Sequence, residues 1–143
     1  MTIDVVIDTN VIVAGLIGGK GPNREILRYC FKGKLQPYIG VALYNEYQDL
    51  LSRKNIQALC KQSSVTLAEF LDDFANICMP VDVWFLWRPN LNDEADNHVL
   101  ELAVAANVSY IVTNNIKDFA QAELKLAGYE VITPPELLRL MIK

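Results

Sequence analysis

Two apolar runs in this chain end in the same way. Val5-Val6-Ile7 stops at Asp8, with Thr9 and Asn10 directly after; Tyr110-Ile111-Val112 stops at Thr113-Asn114-Asn115, with Asp118 just beyond. Short continuous apolar runs bounded by polar turns are the signature of strands buried on both faces of a parallel sheet. Polar, acid-bearing turns at such strand ends are how an open α/β sheet builds a site along its carboxyl edge. The fold constraint and the first candidate residues therefore come from the same few positions.

The rest of the chain supplies helices to cover such a sheet. After a strand at 3–7, Thr9 to Leu16 reads as a short helix, stopped by the Gly18-Gly19-Lys20-Gly21-Pro22 turn. That glycine cluster lacks the Gly-Lys-Ser/Thr ending of a phosphate-binding loop, so it is a connector. Residues 23–33 follow a helical period with Ile26, Leu27 and Cys30 inward. Helices are expected at Val41–Ser52, at Asn55–Gln62 and at Thr66–Cys78, the last opened by a Thr66/Glu69 capping box. Val81, Val83 and Phe85 alternate as in a strand, with Trp84 and Trp87 on the opposite side. Residues 94–106 give the clearest helix, its inner stripe being Val99, Leu102, Ala103 and Ala106. A strand to Val112, a helix through Leu126 with Gly128 as its C-cap, a strand at Glu130–Ile132 and a last helix from Pro135 to near Met141 complete the chain. Strands alternating with helices predict a parallel sheet covered on both faces.

With 143 residues, 52% of them apolar, residues 1–143 are read as a single domain with a well-buried core. No apolar run approaches the roughly 18 residues of a membrane span. Asp4 and Asp8 interrupt the amino terminus, which lacks the basic lead of a secretory signal, so a cytoplasmic protein is expected. Cys30, Cys60 and Cys78 are odd in number and contain no Cys-x-x-Cys pair, which points to plain thiols rather than a disulfide framework or a zinc site.

The acids carry the chemistry. Taken singly, Asp8, Asp93 and Asp96 each fit a helix cap, and Asp118 a turn. Glu46 resists that reading. Leu43, Glu46, Tyr47 and Leu50 recur at i, i+3, i+4 and i+7, which sets a carboxylate within an apolar stripe. A buried carboxylate needs a salt-bridge partner or a metal. Strand ends and helix starts meet along one sheet edge, so Asp8, Asp93, Asp96 and Asp118 are placed to converge there. Helix amino termini ease such crowding by about 1 kcal/mol each, too little against repulsion between carboxylates at contact distance. A divalent cation supplies the remainder, and hard oxygen ligands favour Mg²⁺ or Mn²⁺ over zinc.

Four blocks in order resemble the PIN domain nearly end to end: Ile7-Asp8-Thr9-Asn10-Val11, Glu46 in a helix, Asp93-Glu94-Ala95-Asp96 before Val99-Leu100-Glu101-Leu102-Ala103, and Ile111-Val112-Thr113-Asn114-Asn115. The resemblance implies a three-layer α/β/α sandwich with a central parallel sheet. It implies a Mg²⁺- or Mn²⁺-dependent ribonuclease acting on RNA, often the toxin half of a toxin–antitoxin pair, with an antitoxin protein as partner. Under it Asp8, Glu46 and Asp96 are the catalytic acids and metal ligands, with Asp93 and Asp118 adding to the ligand set. Thr9, Asn10, Thr113 and Asn115 are expected to support them. The family commonly has Asp where Asn115 stands; Asp118 or the Asn115 carbonyl is expected to take that place.

Net charge of −4 argues against a nucleic-acid partner only at first sight. Setting aside Asp8, Glu46, Asp96 and Asp118 leaves 13 of the 17 acidic residues against 13 basic ones. A bound cation would reverse the local field in the cleft. Arg24, Arg28 and Lys32 at i, i+4 and i+8, with Lys34 beyond, form a row that RNA phosphates suit, although a solvated helix face explains it better. Trp84, Phe85 and Trp87 are read as core or as a homodimer surface rather than a base-stacking platform. His98 is read as pointing away from the Val99/Leu102 stripe, hence away from the site. Two other functions are weighed. One is a binding module that keeps the fold but not the chemistry, favoured by Asn115. The other is a phosphoacceptor domain of the receiver type, disfavoured by a single Asp at the first strand end and no Lys at a later one.

Overall fold

The computed structural model describes residues 2–82, 94–119 and 128–142. Among these residues five strands form one parallel sheet: β1 (Ile3–Ile7), β2 (Leu35–Ile39), β3 (Met79–Pro80), β4 (Tyr110–Val112) and β5 (Glu130–Ile132), in the spatial order β3-β2-β1-β4-β5. The helices are α1 (Thr9–Ile17), α2 (Pro22–Phe31), α3 (Val41–Leu51), α4 (Lys54–Cys60), α5 (Ser64–Ile77), α6 (Glu94–Ala106) and α7 (Pro134–Ile142), with a 3₁₀ turn at Ile116–Phe119. The whole is the expected three-layer α/β/α sandwich.

β1 is the centre of both sheet and core. Val5, Val6 and Ile7 are wholly buried, which is why its sequence shows no alternation. From β1 the chain steps outward through β2 and β3, then returns to β4 on β1's other side. That reversal is a topological switch point, and it opens the crevice at the carboxyl ends of β1 and β4. Asp8 and Thr113 are the first residues past those two ends.

β2 has no counterpart in the sequence-based expectations, because Leu35-Gln36-Pro37-Tyr38-Ile39 places a proline mid-strand. Proline lacks the ladder N–H and is normally confined to sheet edges. Here β3 joins only from Tyr38 onward, so on that side Pro37 has no ladder bond to forfeit. The Gln36 side-chain amide donates to the Ile77 carbonyl at 2.9 Å on the approach to β3.

Other boundaries shift for local reasons. α5 begins at Ser64, because the Ser63 hydroxyl accepts from the Thr66 N–H at 3.1 Å; Ser63, not Thr66, is the cap. On α3 the buried stripe is Leu43, Tyr47 and Leu51 rather than Leu50. α1 and α2 approach at Gly15, where a Cβ would lie 2.7 Å from Leu27 Cδ1 and 3.1 Å from the Asn23 carbonyl oxygen. Gly128 sits at φ +91°, the left-handed conformation a helix C-cap favours, though the helix expected before it falls largely outside the described residues. Trp84, Phe85 and Trp87 also lie outside them. The three cysteines are free and buried. No helix among the described residues is long and apolar enough to cross a membrane.

Candidate functional site

Asp8 does two jobs at once. It is the N-cap of α1, its Oδ1 accepting from the Thr9 N–H at 2.8 Å, and it is 4% exposed at the head of the crevice. Its other oxygen, Oδ2, accepts from the Thr113 hydroxyl at 2.9 Å and from the Asn10 amide at 3.3 Å. β1 and β4 pair in parallel up to Ile7 and Val112, and the Asp8 N–H extends that pairing to the Val112 carbonyl at 2.9 Å. Two strands from distant parts of the chain therefore fix the carboxylate.

Asn10 is the hub between the two polar turns. Its amide also donates to Thr113 Oγ1 at 3.1 Å, while its own oxygen accepts from the Asn114 N–H at 3.1 Å. The Asn115 N–H closes the turn on Thr113 Oγ1 at 3.1 Å. Asn114 then reaches Asn23 on α2, amide to oxygen at 2.8 Å.

Glu46 arrives from α3. Tyr47, its neighbour in sequence, is buried and donates its hydroxyl to the Ile7 carbonyl, which pins α3 to the end of β1. Glu46 Oε1 accepts from the Thr9 hydroxyl at 2.9 Å, and the same hydroxyl lies 3.5 Å from Asp8 Oδ1. A single threonine thus holds two carboxylates, its N–H donating to Asp8 and its hydroxyl to Glu46. Glu46 Oε2 meets His98 Nε2 at 2.5 Å. His98 does not point away from the site, as the sequence suggested. It lies four residues before the buried Leu102, so the two share a face of α6. That i, i+4 relation was the signal by which the sequence could have found it.

The two acids respond oppositely to these surroundings. Burial pushes the Asp8 carboxyl above its ordinary value; hydrogen bonds from Thr113 and Thr9 offset only part of this, and the Glu46 charge adds to it. Burial pushes Glu46 up as well, but its bonds to His98 and Thr9 and the His98 charge outweigh that and hold it below the ordinary range. A raised, buried carboxyl beside a second carboxylate is the arrangement a nearby cation relieves. Both are hard oxygen donors, which fits Mg²⁺ or Mn²⁺. Among the described residues no cluster of three or more such side chains stands ready to hold an ion, so these two are the part of the set that is seen. Asp93 lies outside the described residues; for Asp96, in the first turn of α6, and Asp118, in the 3₁₀ turn, the description covers the backbone. Asn115 is exposed at the rim.

The basic row does not gather at this site. Arg24 donates from Nη1 to the carbonyls of Gly15 and Gly18, at 3.3 and 3.1 Å, and so caps the end of α1. Arg28 pairs with Glu25 at 2.7 Å. Lys32 and Lys34 lie in the turn entering β2, where the Ile3 N–H bonds the Lys34 carbonyl at the opposite edge of the sheet. A five-residue strand separates that edge from Asp8, roughly 15 Å.

The family model for the PIN domain matches residues 4–117, which takes in every block from Asp8 to Asn115 and ends one residue short of Asp118. No curated protein gives a match to the sequence. Among solved structures, VapBC2 from Rickettsia felis bound to a DNA fragment from their promoter is similar at a TM-score of 0.62 and 17% identity, over 92% of this chain and 98% of that one. FitAB bound to the IR36 DNA fragment is similar at 0.51 and 16% identity, over 91% of this chain and 94% of that one. At such identities the likeness is one of fold, whereas the family match follows the sequence itself along most of its length. Its strand order, its acid-tipped central strand and this match agree that the chain belongs to the PIN-domain family.

Proposed function

We propose that this chain is a metal-dependent endoribonuclease and the toxin component of a toxin–antitoxin pair. The observation that carries the reading is the pairing of Asp8 with Glu46 through Thr9, whose N–H donates to the first and whose hydroxyl donates to the second, at the switch point of the sheet. Asp96, in the first turn of the helix whose His98 touches Glu46, is the proposed third acid of the set. RNA is the proposed substrate. The antitoxin partner follows from the family resemblance, and VapBC2 and FitAB, both solved on DNA fragments, share the fold of this chain.

Phosphodiester hydrolysis needs a water activated near neutral pH and a leaving oxygen whose charge is stabilised. A divalent ion held by Asp8, Glu46 and Asp96 would supply both. The protein's own contribution is preorganisation. Three donors fix Asp8, and Thr9 and His98 each fix one oxygen of Glu46, so neither carboxylate has to find its orientation when the ion and substrate arrive. Burial keeps the site dry enough for these charges to act strongly.

The test is cleavage of a mixed single-stranded RNA with Mn²⁺, with Mg²⁺ and with EDTA, comparing wild type with Asp8→Asn and Asp96→Asn. Metal-dependent cutting lost in both variants is the expected result. A second reading, a PIN-like RNA- or protein-binding module without catalysis, is favoured by Asn115 standing where the family commonly has an acid. A folded wild type that binds RNA but never cuts it would establish that alternative.

A further inference from the structure

We propose that His98 is a positioning residue: it holds the Glu46 carboxylate in the orientation that receives the divalent ion. The inference rests on the metal-nuclease reading above and assigns a role to a side chain outside the acid set. His98 Nε2 lies 2.5 Å from Glu46 Oε2 across 52 residues of sequence, and both side chains are largely buried, at 21% and 27% exposure. A carboxylate offers only acceptors, so the proton must sit on Nε2 and His98 must be the donor. Nδ1 is buried and has no hydrogen-bond partner among the described residues, so Glu46 is the one polar contact seen to orient the ring.

Glu46 comes from α3, one residue from the buried Tyr47, with a long side chain that packing alone does not fix. The Thr9 hydroxyl holds Oε1 but leaves the carboxylate free to swing about that bond. The imidazole of His98 removes this freedom by holding the second oxygen from α6, the helix that also carries Asp96. One contact therefore aligns an acid of α3 with the first turn of α6. Groups that hydrogen-bond to a metal's ligands orient them, and losing one typically weakens binding by about 10–100-fold.

Mn²⁺ titration of the full chain by calorimetry tests the idea, with wild type, Glu46→Gln, His98→Ala, His98→Gln and His98→Asn, each also melted in EDTA. Wild type should bind, Glu46→Gln should bind far more weakly, and His98→Ala should lose about tenfold or more. His98→Gln should recover most of that loss, because its amide donates from nearly the position of Nε2. His98→Asn, whose shorter amide falls short of Glu46, should not. If His98→Ala fails to fold, the Gln and Asn pair still decides. Equal Mn²⁺ affinity in wild type and His98→Ala overturns the proposal while leaving the metal site standing, as does equal affinity in the Gln and Asn variants. A folded wild type that binds no Mn²⁺ overturns the metal reading itself, and this proposal with it.

Discussion

At the carboxyl edge of the sheet, Asp8 is 4% exposed and accepts three hydrogen bonds, from Thr9, Asn10 and Thr113. At the amino edge, Lys32 and Lys34 stand exposed above the Tyr29 ring, their ammonium groups 5.9 and 5.5 Å from its centre, and Arg28 pairs with Glu25 in solvent. Both edges carry charge, but the first has taken its charge out of water and surrounded it with donors, while the second leaves it hydrated. Exposed pairs and cation–π contacts of the second kind contribute about 0–1 kcal/mol. A buried carboxylate is costly to keep, so its retention at a strand end carries far more information about function than a run of lysines does.

The sharpest way to break this comparison is to swap the predicted consequences. Glu46→Gln should reduce RNA cleavage by about a hundredfold or more, while the double variant Lys32→Ala/Lys34→Ala should stay within about threefold of wild type in the same assay. A large loss from the lysine pair would shift the RNA path to the amino edge. Next in size is Thr113→Val. The wholly buried Thr113 hydroxyl donates to Asp8 and receives from Asn10 and Asn115, so a nearly isosteric Val leaves those groups short of a partner. Urea unfolding should show a loss of about 1–3 kcal/mol. Tyr47→Phe removes the hydroxyl that ties α3 to the Ile7 carbonyl; the expected cost is about 1 kcal/mol, with reduced cleavage because Glu46 rides on the same turn.

The smallest effect belongs to a solvent-exposed contact just past the carboxyl end of β5. Glu136 accepts from the Thr133 hydroxyl at 2.8 Å and from its N–H at 3.1 Å, and those bonds, the hydroxyl's first, hold its carboxyl below the ordinary value of 4.5. A carboxyl lowered by folding contributes stability that is complete above the unfolded value and disappears as pH falls through the folded one. Glu136→Gln should therefore melt slightly below wild type at neutral pH and converge with it in acid, once the carboxyl is protonated in the folded state. A difference that persists in acid would place the effect in packing rather than in the charge-assisted cap.

What the sequence discloses follows the same physics. β1, β4 and α6 are legible because burial imposes a continuous apolar run on the strands and an apolar stripe on the helix. Asp8 and Thr113 are legible as the first polar residues past those strands. β2 is not, because Pro37 is forbidden mid-strand by a rule that the shortness of β3 suspends. Glu46 was recognised by its place beside Tyr47, even though the stripe runs through Leu51 instead of Leu50. His98 is hard to read from the Val99/Leu102 stripe because it adjoins Val99, yet it shares a face with Leu102, four residues on. The basic row looks continuous as a helix face, but its far end lies past the end of α2, in the turn at the amino edge of the sheet, opposite the site.

The bond between Thr113 and Asp8 joins residues 105 positions apart. Translation at about 5–20 residues per second puts roughly 5–20 s between the synthesis of the first and that of the second. During that interval Asp8 lacks β4 beside it and Thr113 beneath its carboxylate, and α6 with His98 has only just been made. The emerging polypeptide is therefore without its finished centre until Thr113 has been made. An antitoxin of the kind proposed would have that interval in which to engage the chain before the acid centre is complete.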